Sequence, residues 1–310
     1  MMKPNKLGYI ELRNLDLREI TTFIDWKFFF HAWRLTGRYD DISAVCDCAS
    51  CRVGWLQQFE EGEQDKALEA LKLYKDAQAL LRDIFENKSL IINASVYLSE
   101  AYSDEDDNIV FHTENGELKI PMLRQQHPST DGFCYALSDF LAEKDDYAGV
   151  FVTTVLDVEK MAEEFDKEED VYNSILIKTL ADRLAEAAAE WLHYKVRREI
   201  WGYAADEKLS VKEMLQTKYQ GIRPAVGYPS LPDQSIIFDL DNVLHFDKIG
   251  VSLTENGAMF PNASVCGLYF AHPKSKYFMV GKIDENQFLD YARRREKTPA
   301  EMKKWLASNI

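Results

Sequence analysis

Cysteine is scarce in this chain: there are five in 310 residues, an odd number, and their spacing does not suggest a disulfide framework. A reducing compartment fits that usage. No apolar run approaches the roughly 20 residues of a membrane-spanning helix. The opening stretch MMKPNKLGYIELRNLDL has no apolar segment of signal-peptide type, so a cytoplasmic protein is expected. Cations are outnumbered, 37 Lys and Arg against 52 Asp and Glu, giving a formal charge of −15. That balance argues against nucleic acid and anionic membranes as partners, because both need a basic face. No glycine-rich fingerprint opens a helix, so neither a dinucleotide-binding turn nor a P-loop is indicated, and there is no Gly-x-Ser-x-Gly elbow. His31, His112, His127, His193, His245 and His272 stand singly, which leaves a catalytic zinc site without local support.

Apolar residues are plentiful: at 46% of the chain, with 12% aromatic, they suffice for one large domain or two ordinary ones. Phe23, Trp26, Phe30 and Trp33 in NLDLREITTFIDWKFFFHAWRLTG are spaced to cover one helical face. Leu68, Leu71, Leu73, Ala77, Leu80, Leu81 and Ile84 mark a second, long amphipathic helix. Asn115-Gly116 between two strand-like runs is the strongest hairpin signal, and YAGVFVTTVL reads as a buried strand. From 158 to 203 one or two long helices are expected, broken near KEEDVYN, with Leu176, Leu180, Leu184, Ala188 and Leu192 as a buried stripe. A short helix follows in SIIFDLDNVLHF. The runs SVCGLYFA and KYFMVGKI around HPKS predict a second hairpin, and two helices close the chain, the last capped by Thr298, Pro299 and Glu301. Local hairpins without βαβ alternation predict an α+β fold, long helices around an antiparallel sheet. A single domain over 1–310 is expected, with a helical segment to about residue 90 and an α+β core from about 91.

Three stretches carry chemistry. Cys46, Cys48 and Cys51 crowd into VCDCASCRVG, but a structural zinc site takes four ligands and no second close Cys/His pair follows, so the segment is read as a thiol cluster without a metal. Asp182, Glu186 and Glu190 repeat every four residues along a helix, where like charges repel by a few tenths of a kcal/mol per pair. Solvation is the ordinary outcome, and a facing cation is the alternative. Finally, KYQGIRPAVGYPSLPDQ holds Pro224, Pro229 and Pro232 with Gly221 and Gly227, which makes it a stiff loop, neither helix nor central strand. Pro224 biases Arg223 toward an extended backbone, presenting a guanidinium suited to a carboxylate or phosphate, or to a structural ion pair.

The segment GIRPAVGYPS resembles the Arg-Pro-x-x-Gly-Tyr-Pro signature of the activation domain of cobalamin-dependent methionine synthase. Further stretches are similar in order: FIDWKFFFHAWRLTGRY, YNSILIKTLADRLAEAAAEWLHYKVRREIWGYAADEKLS, TKYQ, LTENGAM, SVCGLYFAHPKSKYF and DYARRR, covering about residue 20 to the C-terminus. The resemblance implies a domain that binds S-adenosylmethionine and supports reductive methylation of cob(II)alamin to methylcobalamin, the cobalamin being carried by a partner domain or corrinoid protein. It implies a flavodoxin-type electron donor. Arg223 would hold the methionyl carboxylate, with the Pro224, Ala225, Val226, Gly227 and Tyr228 backbone lining the nucleoside, Asp25 and Glu186 meeting polar and cationic groups, and Tyr277 near the ligand.

The sequence departs from the family pattern at Leu231, Gln234, Asn256, Gly257, Phe260 and Asn262, around the expected ligand loop and cobalamin-facing surface. Those changes motivate an alternative, a non-catalytic regulatory or binding partner of a corrinoid protein. The chain carries no Asp-x-His-x-x-Gly cobalamin signature and no Gly-Cys-Cys zinc motif, so methionine synthesis by this chain alone is not expected. Arg293, Arg294, Arg295, Lys297, Lys303 and Lys304 form a basic stretch that reads either as a solvated helix face or as a surface for an acidic electron donor.

Overall fold

The computed structural model describes residues 2–39, 41–46 and 48–310. In chain order it runs β1 (Gly8–Leu12), α1 (Leu17–Thr21), α2 (Trp26–Ala32), α3 (Ala49–Leu56), α4 (Gln64–Asn87), β2 (Ile91–Ser103), β3 (Asn108–Thr113), β4 (Gly116–Pro121) and β5 (Asp146–Leu156). It continues through α5 (Val158–Lys167), α6 (Val171–Lys195), α7 (Val211–Leu215), α8 (Ile236–Leu244), β6 (Ser252–Leu253), β7 (Met259–Phe260), β8 (Ser264–Tyr269), α9 (Glu285–Arg294) and α10 (Pro299–Trp305). The main sheet is antiparallel in the order β4-β3-β2-β5-β8, and β1 pairs with the first half of β2 on the edge that β3 takes in the second half. Among the described residues no helix is long and apolar enough to cross a membrane.

Period-two alternation divides the sheet between two cores. Ile92, Ala94, Val96 and Leu98 of β2 and Phe151 and Val155 of β5 face the helical layer of α1, α2, α4 and α6. Tyr97, Ala148, Val150 and Val152 face α8 on the other side. The α6 stripe read from the sequence is buried throughout: Leu176, Leu180, Leu184, Ala188 and Leu192 are all 0% exposed. Small residues at 185 and 187–189 let α6 lie close to the sheet, where Thr153 Oγ1 donates to the Ala185 carbonyl at 3.2 Å.

Several expectations change. The aromatic stretch at 17–33 is two short helices, because Asp25 caps α2 by accepting from Lys27 N at 3.0 Å and so breaks the run. Leu68 of α4 is exposed, while the rest of its stripe is buried. The N-terminal segment is not wholly helical, since GYIEL pairs with β2 as β1; four half-buried residues and the exposed Glu11 give little periodicity to read. The second predicted hairpin does not form. SVCGLY is β8, but the outer edge of β8 is already occupied by the loop at 222–226, through Ile222 N to Phe270 O (3.0 Å), Leu268 N to Pro224 O (2.9 Å) and Val226 N to Cys266 O (2.9 Å). The run 276–283 therefore lies over that loop, with Val280 N donating to Pro229 O at 2.9 Å.

Gly267 of β8 makes this close approach possible. A Cβ there would sit 2.3 Å from the Pro224 carbonyl oxygen and 2.9 Å from Ala225 Cα, both backbone atoms that cannot swing aside. Gly267→Ala should destabilise the protein by about 1–3 kcal/mol through overpacking. Gly54→Ala, in α3 with nothing within 4 Å, serves as the control and should be neutral or stabilising. Urea midpoints that move equally for the two variants would refute the packing argument.

Candidate functional site

A cavity of about 480 Å³ opens where α6, the loop after Gly221, the start of α2 and the 276–283 run converge. The helical repeat places Arg183, Glu186, Ala187 and Glu190 of α6 along one wall. Asp25 enters from the N-cap of α2; capping uses one carboxylate oxygen and fixes the side chain toward the cavity. Arg223, Pro224, Ala225 and Tyr228 form the opposite wall, with Tyr277 and Phe278 beside them.

Arg223 is held from several sides. Its backbone N–H donates to Tyr277 Oη at 3.0 Å, while Nη2 and Nε donate to Glu190 Oε2 at 3.0 and 3.4 Å. Nη1 approaches Glu186 Oε2 only to 3.9 Å, beyond hydrogen-bonding distance. Burial works against the guanidinium charge, but Glu190 first, then Tyr277, Tyr219 and Glu186, hold its pKa well above the usual value. The fork is thus anchored on one edge and free to donate on the other.

Behind Arg223 the charges alternate into the core. Glu190 Oε1 lies 4.0 Å from Nη1 of Arg197, and Arg197 donates through Nε and Nη2 to both oxygens of Glu207 at 2.9 and 2.8 Å. Arg197 is completely buried and stacks 4.1 Å from the Tyr219 ring centroid. It sits in a π-helical turn, Val196–Ile200, at the end of α6. The acidic repeat on α6 is therefore not merely a solvated face: Glu186 and Glu190 face cations, contrary to the ordinary outcome for such a pattern.

Tyr228 donates from Oη to Glu186 Oε1 at 2.8 Å, and burial together with that carboxylate pushes the phenol up to about 12. The pair stands between the main cavity and a second one of about 320 Å³, since Arg183, Glu186, Ala225 and Tyr228 line both. Asn262 and Met259 line the second cavity only.

Of the residues expected at the site, Asp25, Glu186, Arg223, Pro224, Ala225, Tyr228 and Tyr277 line the main cavity. Val226 faces the second cavity. Gly227 lines neither; it supplies a positive φ of 84° for the turn in which its N–H donates to Leu231 O at 2.9 Å. Glu190, Arg183, Phe23, Phe28 and Tyr219 also line the main cavity and were not expected there. No local signal in the sequence separates Glu190 from Asp182, which lies one helical turn on the other side of Glu186.

Two of the six cations in the basic stretch near the C-terminus are spent on structure, while Arg293, Lys303 and Lys304 are exposed. Arg294 donates to Asp290 Oδ2 and Asn108 Oδ1 at 2.7 and 3.0 Å, and Arg295 to Asp233 Oδ2 at 3.2 Å and Ser235 Oγ at 3.1 Å. Both side chains are less than a tenth exposed, so neither adds to a surface cationic field.

A protein-family model described as the vitamin B12 dependent methionine synthase activation domain matches residues 16–296. The chain belongs to that family. A solved structure described as the MetH reactivation domain bound to AdoHcy is 37% identical, with a TM-score of 0.88 over 99% of this chain and 92% of that one. The α+β architecture of the activation domain is thus shared, helices packed on an antiparallel sheet, as the sequence led one to expect.

Within this activation domain the charge ladder borders a histidine that must remain neutral. His193 is fully buried, stacked 5.2 Å from Tyr269 and 3.2 Å from Tyr203 Oη, and burial, with Arg197 and Arg223 nearby, lowers its pKa well below 6.5. Above pH 6.5 the native and unfolded chains both carry it neutral, and it has no effect on stability. Below pH 6.5 the unfolded chain takes up a proton that the native state refuses, so stability falls with a slope that approaches about 1.4 kcal/mol per pH unit until the native pKa is reached. Urea unfolding of the wild type should therefore lose about 1 kcal/mol more than His193→Gln between pH 6.5 and 5.5. Parallel profiles for the two proteins would rule out a suppressed His193.

Proposed function

We propose that this activation domain binds S-adenosylmethionine in the main cavity and presents its methyl group to a cobalamin carried by a partner domain or corrinoid protein. The observation that carries the reading is the convergence of Arg223, Asp25 and Glu186 on one cavity in a member of this family. Three carboxylates (Asp25, Glu186, Glu190) face two guanidiniums (Arg183, Arg223), leaving a surplus negative charge. S-adenosylmethionine has a carboxylate for the free edge of Arg223 and two cationic centres for the carboxylates, so ligand and site are complementary. The relative at 37% identity is described as bound to AdoHcy, which has the same carboxylate and ammonium but no sulfonium charge.

The methyl group comes already activated on sulfur, and one electron from a flavodoxin-type donor would make the partner's cob(II)alamin nucleophilic. The residues of this chain need supply neither acid nor base. Arg223 fixes the amino-acid end, Asp25 and Glu186 favour the cationic end, and the stiff Pro224–Tyr228 wall holds the nucleoside, so that the methyl points one way.

Calorimetric titration of S-adenosylmethionine into the isolated chain should show one site, with S-adenosylhomocysteine binding more weakly at low salt and the difference shrinking as salt rises. A chain that gives no heat with either ligand, alone or with a cobalamin-binding domain added, would favour a non-catalytic partner of the corrinoid protein. Addition of that domain and a reductant to the liganded chain should yield methylcobalamin.

A further inference from the structure

We propose that Cys46, Cys48 and Cys51 form a binding site for a thiophilic metal ion of the Zn²⁺ class, with a fourth coordination position open to water. The sequence alone reads this segment as thiols without a metal; the fold adds their convergence. All three sulfur atoms lie within 4.8 Å of one another, and Cys46 and Cys48 Sγ are 3.0 Å apart. Tetrahedral zinc with Zn–S bonds of about 2.3 Å needs sulfurs separated by about 3.8 Å, so the Cys46–Cys48 pair has to open slightly while the cluster stays within its 4.8 Å span. A dithiol switch uses two sulfurs, whereas here a third is held against the pair.

The local backbone favours negative charge on the Cys48 sulfur. Cys48 is the N-cap of α3, and its Sγ accepts from Cys51 N at 3.3 Å, an N–H···S contact that stabilises a thiolate ligand. Ser50 Oγ lies 3.2 Å from the same sulfur. The helix is anchored by Trp55, 4% exposed and stacked edge-on to Phe59, so the cluster sits on a fixed support. All three thiols are exposed, which leaves the side away from the helix for an exogenous ligand. Cys134 and Cys266 lie elsewhere in the fold, half-buried and buried.

The test is anaerobic titration of the reduced 310-residue chain with Co²⁺, a spectroscopic substitute for Zn²⁺. One Co²⁺ per chain should bind, with sulfur-to-cobalt charge-transfer absorption and visible bands of tetrahedral intensity, and Zn²⁺ should displace it. Cys46→Ser, Cys48→Ser and Cys51→Ser should each weaken binding by at least about 100-fold, since losing even an outer partner of a ligand costs 10- to 100-fold. Cys134→Ser should leave the spectrum unchanged. Circular dichroism should show all four variants folded, as the three clustered positions are exposed. The proposal is overturned if no thiolate absorption develops, if the spectrum survives Cys48→Ser, or if the protein as purified is metal-free and lighter by two hydrogens, with peptide mapping placing the disulfide within Cys46, Cys48 and Cys51.

Discussion

Arg223→Ala is expected to weaken S-adenosylmethionine binding by at least about 100-fold, on the order of 2.7 kcal/mol or more. Two effects combine. The free edge of the guanidinium no longer meets the ligand carboxylate, and Glu190, 3% exposed, loses the cation bonded to its Oε2. Arg223→Lys keeps the charge but not the fork, so its affinity should fall between those of wild type and alanine. Pairing Arg223→Ala with Glu190→Gln separates the effects: stability should recover while binding stays lost. Calorimetry together with urea unfolding measures both quantities. Wild-type affinity in Arg223→Ala would remove the loop from the ligand site and leave the proposed orientation untenable.

Arg197→Ala should produce the largest loss of stability, about 3–5 kcal/mol by urea unfolding, because it strips a bidentate partner from Glu207 inside the core. It also removes the ring contact with Tyr219, which in turn lines the main cavity. Replacing both partners with apolar residues, Arg197→Met with Glu207→Leu, should cost far less than either single change, since no unpaired charge is left buried. A loss below about 1 kcal/mol in Arg197→Ala would mean that water reaches Glu207 in the native state.

The sequence was most legible where one physical rule acts alone. The α6 stripe follows from helical repeat, the β3–β4 turn from Asn115-Gly116, and the capping box of α10 from Thr298 and Glu301, all of which the fold contains. It was least legible where distant segments compete. KYFMVGKI has strand-like composition, but strand pairing depends on a free edge, and the edge of β8 is taken by residues 45 positions or so earlier in the chain. The same limit applies to charge. Nothing local to Glu190 distinguishes it from Asp182, yet Glu190 meets two arginines and is buried. Similarly, Arg294 and Arg295 belong to a basic run on paper but reach Asp290, Asp233 and Asn108 in three dimensions. The resemblance to the methionine synthase activation domain supplied what spacing does not, the gathering of Asp25, Glu186, Arg223 and Tyr277 around one cavity.

The loop lying along β8 has a consequence for how these molecules behave toward one another. A terminal strand with free N–H and C=O groups is a template on which another chain can add a strand of its own. Here Ile222, Pro224 and Val226 occupy those groups, and the prolines at 224, 229 and 232 withhold the amides that would carry the ladder outward. The segment that forms one wall of the main cavity is thus also the guard of the sheet, and a change that peels it away endangers solubility as well as the cavity.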